Sequence, residues 1–133
     1  MTQLRFALAQ IDTCVGALDA NAAKVLDYSR KAAAGDAQVA VFPEMTLTGY
    51  PIEDLALRRT FRQAAWDKAN ELAGQLQDEG LGHLFVVVGT VGTDRETSKP
   101  RNRLVMLHEG VVWTGFPLDK THHTSFHGVG PGG

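Results

Sequence analysis

Val39-Ala40-Val41-Phe42-Pro43-Glu44 decides the fold. Four apolar residues in succession, bounded by Gly35-Asp36 before and Pro43 after, read as a short strand buried on both faces. Upstream, from Asn21, the apolar positions Ala22, Val25, Leu26, Ala32 and Ala33 recur at three- and four-residue spacing, which predicts an amphipathic helix. Asp19 or Asn21 is available as its N-cap and Gly35 as its stop. Further upstream, Leu4 to Ile11 is mostly apolar and fits another buried strand. Strand, helix and strand in so short a span predict a right-handed crossover joining two parallel neighbours.

Downstream, Glu44 to Pro51 is a loop of Thr, Gly and Pro. Helical character returns near Glu53 and runs to about Gln77, with Phe61, Ala65, Ala69, Leu72 and Leu76 as its apolar stripe. Gly80 and Gly82 end it, and Leu84 to Val91 reads as a third strand. The polar stretch Gly92 to Arg103 reads as an exposed loop. Arg103 to His108 and Val111 to Phe116, separated by Glu109-Gly110, then form a hairpin. The order β-α-β-α-β followed by a hairpin predicts an α/β fold, a mixed β-sheet with helices on one face. Residues 1–120 read as one domain. Residues 121–133, rich in His and Gly and without apolar periodicity, read as a divergent, disordered tail.

Composition narrows the function. The 133 residues are 44% hydrophobic and 21% charged, enough for a packed core and about one domain in length. Thirteen basic against fifteen acidic residues leave a net charge of -2, which offers no basic face for nucleic acid and no polybasic patch for a membrane surface. No apolar run approaches the roughly 20 residues of a spanning helix. The opening Met1-Thr2-Gln3-Leu4-Arg5 lacks the pattern of a secretory signal, so a cytoplasmic location is expected. The single cysteine excludes a disulfide framework and a multi-cysteine metal site.

Few residues can carry chemistry. Glu44 follows an all-apolar strand, and ligand crevices in α/β sheets open at strand carboxyl ends, so it is the first candidate for a general base, aided by partial burial. From its position alone the plainer reading is a loop carboxylate that caps the next turn. Cys14 follows Asp12-Thr13, whose charge disfavours a thiolate, and reads as an ordinary loop cysteine. His123 and His127 stand four apart, a spacing that can hold zinc on a helix. Their setting of Thr, Ser and Gly cannot keep a helix, so no metal is expected. No glycine-rich phosphate loop of the P-loop or dinucleotide type occurs.

The run Val41-Phe42-Pro43-Glu44-Met45-Thr46-Leu47-Thr48-Gly49-Tyr50-Pro51-Ile52-Glu53-Asp54-Leu55 resembles the first catalytic segment of the nitrilase (carbon-nitrogen hydrolase) superfamily. Within it, the run is most similar to the N-terminal glutaminase domain of glutamine-dependent NAD synthetases. The Leu4 to Gln10 opening, Val86-Val87-Val88-Gly89 and Asn102 agree in order and spacing, and the likeness extends over about residues 3 to 116. It implies the first half of a nitrilase-like αββα sandwich and an amidohydrolase working through a Glu-Lys-Cys triad. Glutamine would be the substrate, and the ammonia released would pass to a synthetase domain. ATP and nicotinic acid adenine dinucleotide belong to that domain, so no cofactor is expected in this chain.

By the resemblance Glu44 is the general base, Tyr50 lines the substrate pocket and Lys120 is the candidate oxyanion-stabilising lysine. Aligning on His122-His123 and Gly128-Val129 sets Thr121 in the family lysine's place, so Lys120 serves only with a shift of one residue. The family nucleophile belongs to the second half of the sandwich, and Cys14 is not its match. The chain is therefore expected to be inactive alone, with the sheet face that normally packs inside the sandwich exposed. The alternative is a non-catalytic nitrilase-like interaction module that pairs through this face with a second copy or an intact homologue.

Overall fold

Val39–Val41 does form a strand, and the strands on either side of it run parallel to it. The computed structural model describes residues 3–50, 53–117 and 127–129. In chain order these give β1 (Phe6–Leu8), α1 (Leu18–Ala34), β2 (Val39–Val41), a 3-10 turn (Glu53–Leu57), α2 (Arg59–Asp78), β3 (Phe85–Thr93), β4 (Pro100–His108), β5 (Val111–Pro117) and β6 (His127–Val129). One six-stranded sheet has the order β1-β2-β3-β4-β5-β6. It is parallel from β1 to β3 and antiparallel from β3 to β6. The expected α/β class and the β-α-β-α-β order with a terminal hairpin are what the chain adopts.

Side chains alternate across each strand, so the sheet has two unlike faces. Ala40, Val86, Val88, Val105, Leu107 and Val112 are buried on one face against Val25 and Ala32 of α1 and Leu72, Ala73 and Leu76 of α2. This is the core. Phe6, Leu8, Val39, Val41, Phe85, Val87, Met106 and Val111 take the other face, where they are half-buried or exposed. Phe85 stacks there on His108, with ring centroids 3.8 Å apart. Both helices therefore lie on one side, and the exposed apolar face expected from the resemblance is present.

Three local readings need correction. Leu4 to Ile11 was expected to be a buried strand, but only Phe6–Leu8 pairs, and Phe6 and Leu8 are 54% and 70% exposed. At the edge of the sheet, β1 turns Ala7 toward the core, and Ala9 and Ile11 follow it after the strand. Neither Asp19 nor Asn21 caps α1, which starts after Ala17 without a side-chain cap. Asn21 is instead fully buried and binds loops, as described below. The polar loop after β3 is shorter than expected because Asp94 closes it: its carboxylate accepts the Glu96 and Thr97 N–H groups, and β4 begins at Pro100. Of residues 121–133 only His127–Val129 are described; they form β6, which pairs with Val112–Thr114 of β5.

The hairpin follows its sequence signal. Glu109 and Gly110 both have positive φ, 51° and 74°, the backbone of a two-residue turn whose twist matches paired strands.

Candidate active site

The loop after β2 is built by what its neighbours omit. Gly89 of β3 has no Cβ; one placed there would collide with the Met45 backbone nitrogen and lie 2.9 Å from Glu44 Cα. The loop can therefore settle directly on β3, where Leu47 N–H donates to the Gly89 carbonyl at 3.1 Å. Gly49 makes the second close approach. It has φ of 82°, and a Cβ would stand 2.5 Å from the Cys14 carbonyl. Met45, the residue after Glu44, is held in the left-handed region at φ of 58°, strained backbone of the kind that clusters at functional sites.

Asn21 ties this loop to the one after β1. Its Oδ1 accepts the Cys14 N–H at 2.9 Å, and its Nδ2 donates to the carbonyls of Cys14 at 2.8 Å and Leu47 at 3.0 Å. Gly16 N–H adds a bond to the Thr48 carbonyl at 2.9 Å. Thr46, Leu47 and Thr48 are buried beneath the loop. The backbone on both sides of Glu44 is thus fixed while its side chain stands free of the core.

Glu44 Oε1 accepts a hydrogen bond from Asn102 Nδ2 at 2.9 Å. The two residues are 58 positions apart, and the register explains how they meet. Asn102 pairs with Val91, two residues beyond the Gly89 on which Glu44 rests, so both side chains stand at one end of the β3–β4 pair. Arg103, the next residue of β4, pairs with Pro117 at the end of β5. β5 therefore ends beside Asn102. Asn102 was legible as a match to the family, but its bond to Glu44 was not, because nothing local in sequence pairs them.

The expected partial burial of Glu44 is not found: its side chain is exposed, since the loop that carries it packs downward onto β3 and leaves the carboxylate on the open side. Tyr50 ends the loop at the surface, 74% exposed. Lys120, His122 and His123 lie outside the described residues, and of His127 the backbone alone is described. Cys14 is a free, exposed thiol whose backbone, not its sulfur, is what the loop uses. Among the described residues, no three His, Cys, Asp or Glu side chains gather as a metal site. No helix among them is long and apolar enough to cross a membrane.

The result is a half-layered mixed sheet with a carboxylate just past the carboxyl end of its second strand. Residues 5–126 match the carbon-nitrogen hydrolase family, and the chain belongs to it. Over 109 residues it is 35% identical to the glutamine-dependent NAD(+) synthetase of Mycobacterium tuberculosis, a match spanning 82% of this chain and 15% of that protein. The corresponding enzyme of Acinetobacter baylyi is 30% identical over 112 residues, 84% of this chain and 19% of its own. The chain thus spans less than a fifth of these relatives. Among solved structures, a glutamine-dependent NAD(+) synthetase from Cytophaga hutchinsonii superposes with a TM-score of 0.72 at 22% identity, over 84% of this chain and 18% of that one. An amidase from Nesterenkonia does so at 0.61 and 19%, over 84% of this chain and 42% of its own. Both show the nitrilase-like fold.

Proposed function

We propose that this chain supplies the general-base half of a glutamine-hydrolysing, ammonia-supplying site of the kind that serves NAD synthesis. The observation that supports the reading is the Glu44–Asn102 hydrogen bond at 2.9 Å, which holds the carboxylate that the resemblance makes the general base. An amide is a poor electrophile, so its hydrolysis through a thiol requires a base to take the thiol proton and a positive charge where the oxyanion develops. Glu44 is the base. Lys120, following β5, is the candidate for the charge. The thiol attacks the side-chain amide carbon, the C–N bond breaks with release of ammonia as the base returns its proton to nitrogen, and water then cleaves the thioester. Cys14 is not the nucleophile, so the chain by itself releases no ammonia, and ATP and nicotinic acid adenine dinucleotide belong to a synthetase domain outside it.

The test is a chimera in which residues 1–117 replace the matching stretch of the M. tuberculosis synthetase. Glutamine-dependent ammonia release is expected from it. Glu44→Gln should lower kcat by roughly 10²–10⁴, the usual contribution of a general base. A folded chimera with full activity after Glu44→Gln would refute the assignment.

The exposed face of Phe6, Leu8 and Val111 favours a second reading: a non-catalytic module that pairs through this face with another copy or an intact homologue. In that case the isolated chain associates and the chimera is inactive.

A further inference from the structure

On the helix-covered side of the same sheet, back to back with Glu44, lies a cavity of about 330 Å³ between the start of α2 and the ends of β3 and β4. Register separates the two sites. Asn102 pairs with Val91 and faces Glu44, whereas Arg103 pairs with Thr90 and turns to the opposite side. Arg59, Arg62, Arg95 and Arg103 line the cavity, with one carboxylate, Asp94. Asp94 is already engaged, by Arg101 at 2.8 Å and by the N–H groups of Glu96 and Thr97.

Among the described residues the cations lack a matching anion. Arg62 is 5% exposed, yet it donates only to neutral acceptors: Thr93 Oγ1 at 2.8 Å and the carbonyls of Ala56 at 2.6 Å and Ser98 at 3.3 Å. Three more polar atoms of cavity-lining residues are buried without a partner, namely Trp66 Nε1, Thr90 Oγ1 and Arg103 Nε. Thr90 is 2% exposed. Buried polar atoms are nearly always satisfied, so three orphans in side chains of one cavity wall mark a wall short of hydrogen-bond partners. An indole N–H and a guanidinium N–H can only donate, so what this wall lacks is acceptors. Gly92 contributes by omission: a Cβ there would stand 2.6 Å from Arg103 Nε, so its absence lets the guanidinium cross β3. Burial first, then the charges of Arg101 and Arg95, hold Arg103 below the ordinary arginine value, as for a cation short of counter-charge.

We propose that this cavity is a binding site for a small oxyanion of the phosphate class, free or carried as a monoester, held by Arg59, Arg95 and Arg103 in a wall completed by Trp66 and Thr90. Guanidinium groups suit phosphate oxygens because they can donate two parallel bonds. The volume sits at the small end of the roughly 300–1,000 Å³ usual for ligand pockets, which fits a phosphate with a short carbon skeleton.

Trp66 provides the reporter. The chain has two tryptophans and so two indole N–H signals, told apart by Trp66→Phe. The ¹⁵N-labelled 133-residue chain is titrated with inorganic phosphate, with ribose 5-phosphate and with acetate, at ionic strength fixed by sodium chloride. The expected result is a saturable shift of the Trp66 signal with the phosphates but not with acetate, while the other indole stays in place. Arg103→Gln should weaken the apparent Kd at least tenfold and Arg95→Gln, on the exposed turn, about threefold. Tighter binding of ribose 5-phosphate identifies a monoester ligand, and tighter or equal binding of inorganic phosphate identifies the free ion. No saturable shift with either phosphate, an equal response to acetate, or a Kd unchanged in Arg95→Gln would overturn the proposal. The last holds even if Arg103→Gln fails to fold.

Discussion

Glu44 works, on the proposed reading, only if its carboxylate is aimed, and one amide does the aiming. Asn102 Nδ2 reaches Glu44 Oε1 at 2.9 Å from a different strand, so it is a positioning residue acting through the acid. A hydrogen bond to a charged group is worth about 1.5–3 kcal/mol, equivalent to roughly 10–100-fold in rate if it is made in the transition state. In the chimera, Asn102→Ala should therefore lower kcat by about that factor with little change in KM, and Asn102→Asp, which opposes two carboxylates, by more. A steady-state split of kcat from KM checks it; a KM effect alone would place Asn102 in substrate binding. At this scale the sequence was partly legible. Phe42-Pro43-Glu44 announces the acid through an apolar strand ending in proline, but the exposure of Glu44 and its partner depend on a contact 58 residues away that no local pattern encodes.

Among the elements, the long signals were readable and the short ones were not. α2 and β3 carry enough apolar positions to fix their type from period alone. Asn21 shows the limit: a polar residue near a helix start is ordinarily a cap, whereas here it is buried in α1 and bonds two loops, because tertiary contacts outweigh the local preference. Gly89 is a comparable case. Glycine weakens a strand, and its place in β3 makes sense only with the Glu44 loop lying across it. Gly89→Ala should push that loop from the sheet at a cost of about 1–3 kcal/mol, the usual penalty of overpacking. Urea denaturation reads the loss. Hydrogen exchange should locate it at the Leu47 amide, whose acceptor is the Gly89 carbonyl. An unchanged midpoint and unchanged Leu47 protection would mean that the loop does not rest on β3.

For the whole molecule the governing fact is the asymmetry of its sheet. One face is sealed by α1 and α2, while the other presents Phe6 and Leu8 at the edge and half-buried Val39, Val41, Phe85, Val87 and Met106 across the middle. Alternation along the strands made both faces apolar in sequence, and two helices can cover only one, so an uncovered face followed from the element count itself. Contiguous exposed apolar surface drives association, because burying it against a like surface removes it from water at about 25 cal/mol per Å². The isolated chain is therefore expected to self-associate at tens of micromolar, read as a sedimentation coefficient that rises with concentration. Phe6→Asp with Leu8→Asp should return it to a monomer without loss of helical circular dichroism, since both side chains point away from the core. A wild-type chain that stays monomeric at high concentration would show that the open face is too flat or too interrupted to pair with itself. The same substitutions in the chimera separate the two functional readings: on the hydrolytic reading they lower activity only by loosening the sandwich, with KM for glutamine held, because Phe6 and Leu8 belong to β1, two strands from β3, whereas Asn102, the partner of Glu44, stands on β4.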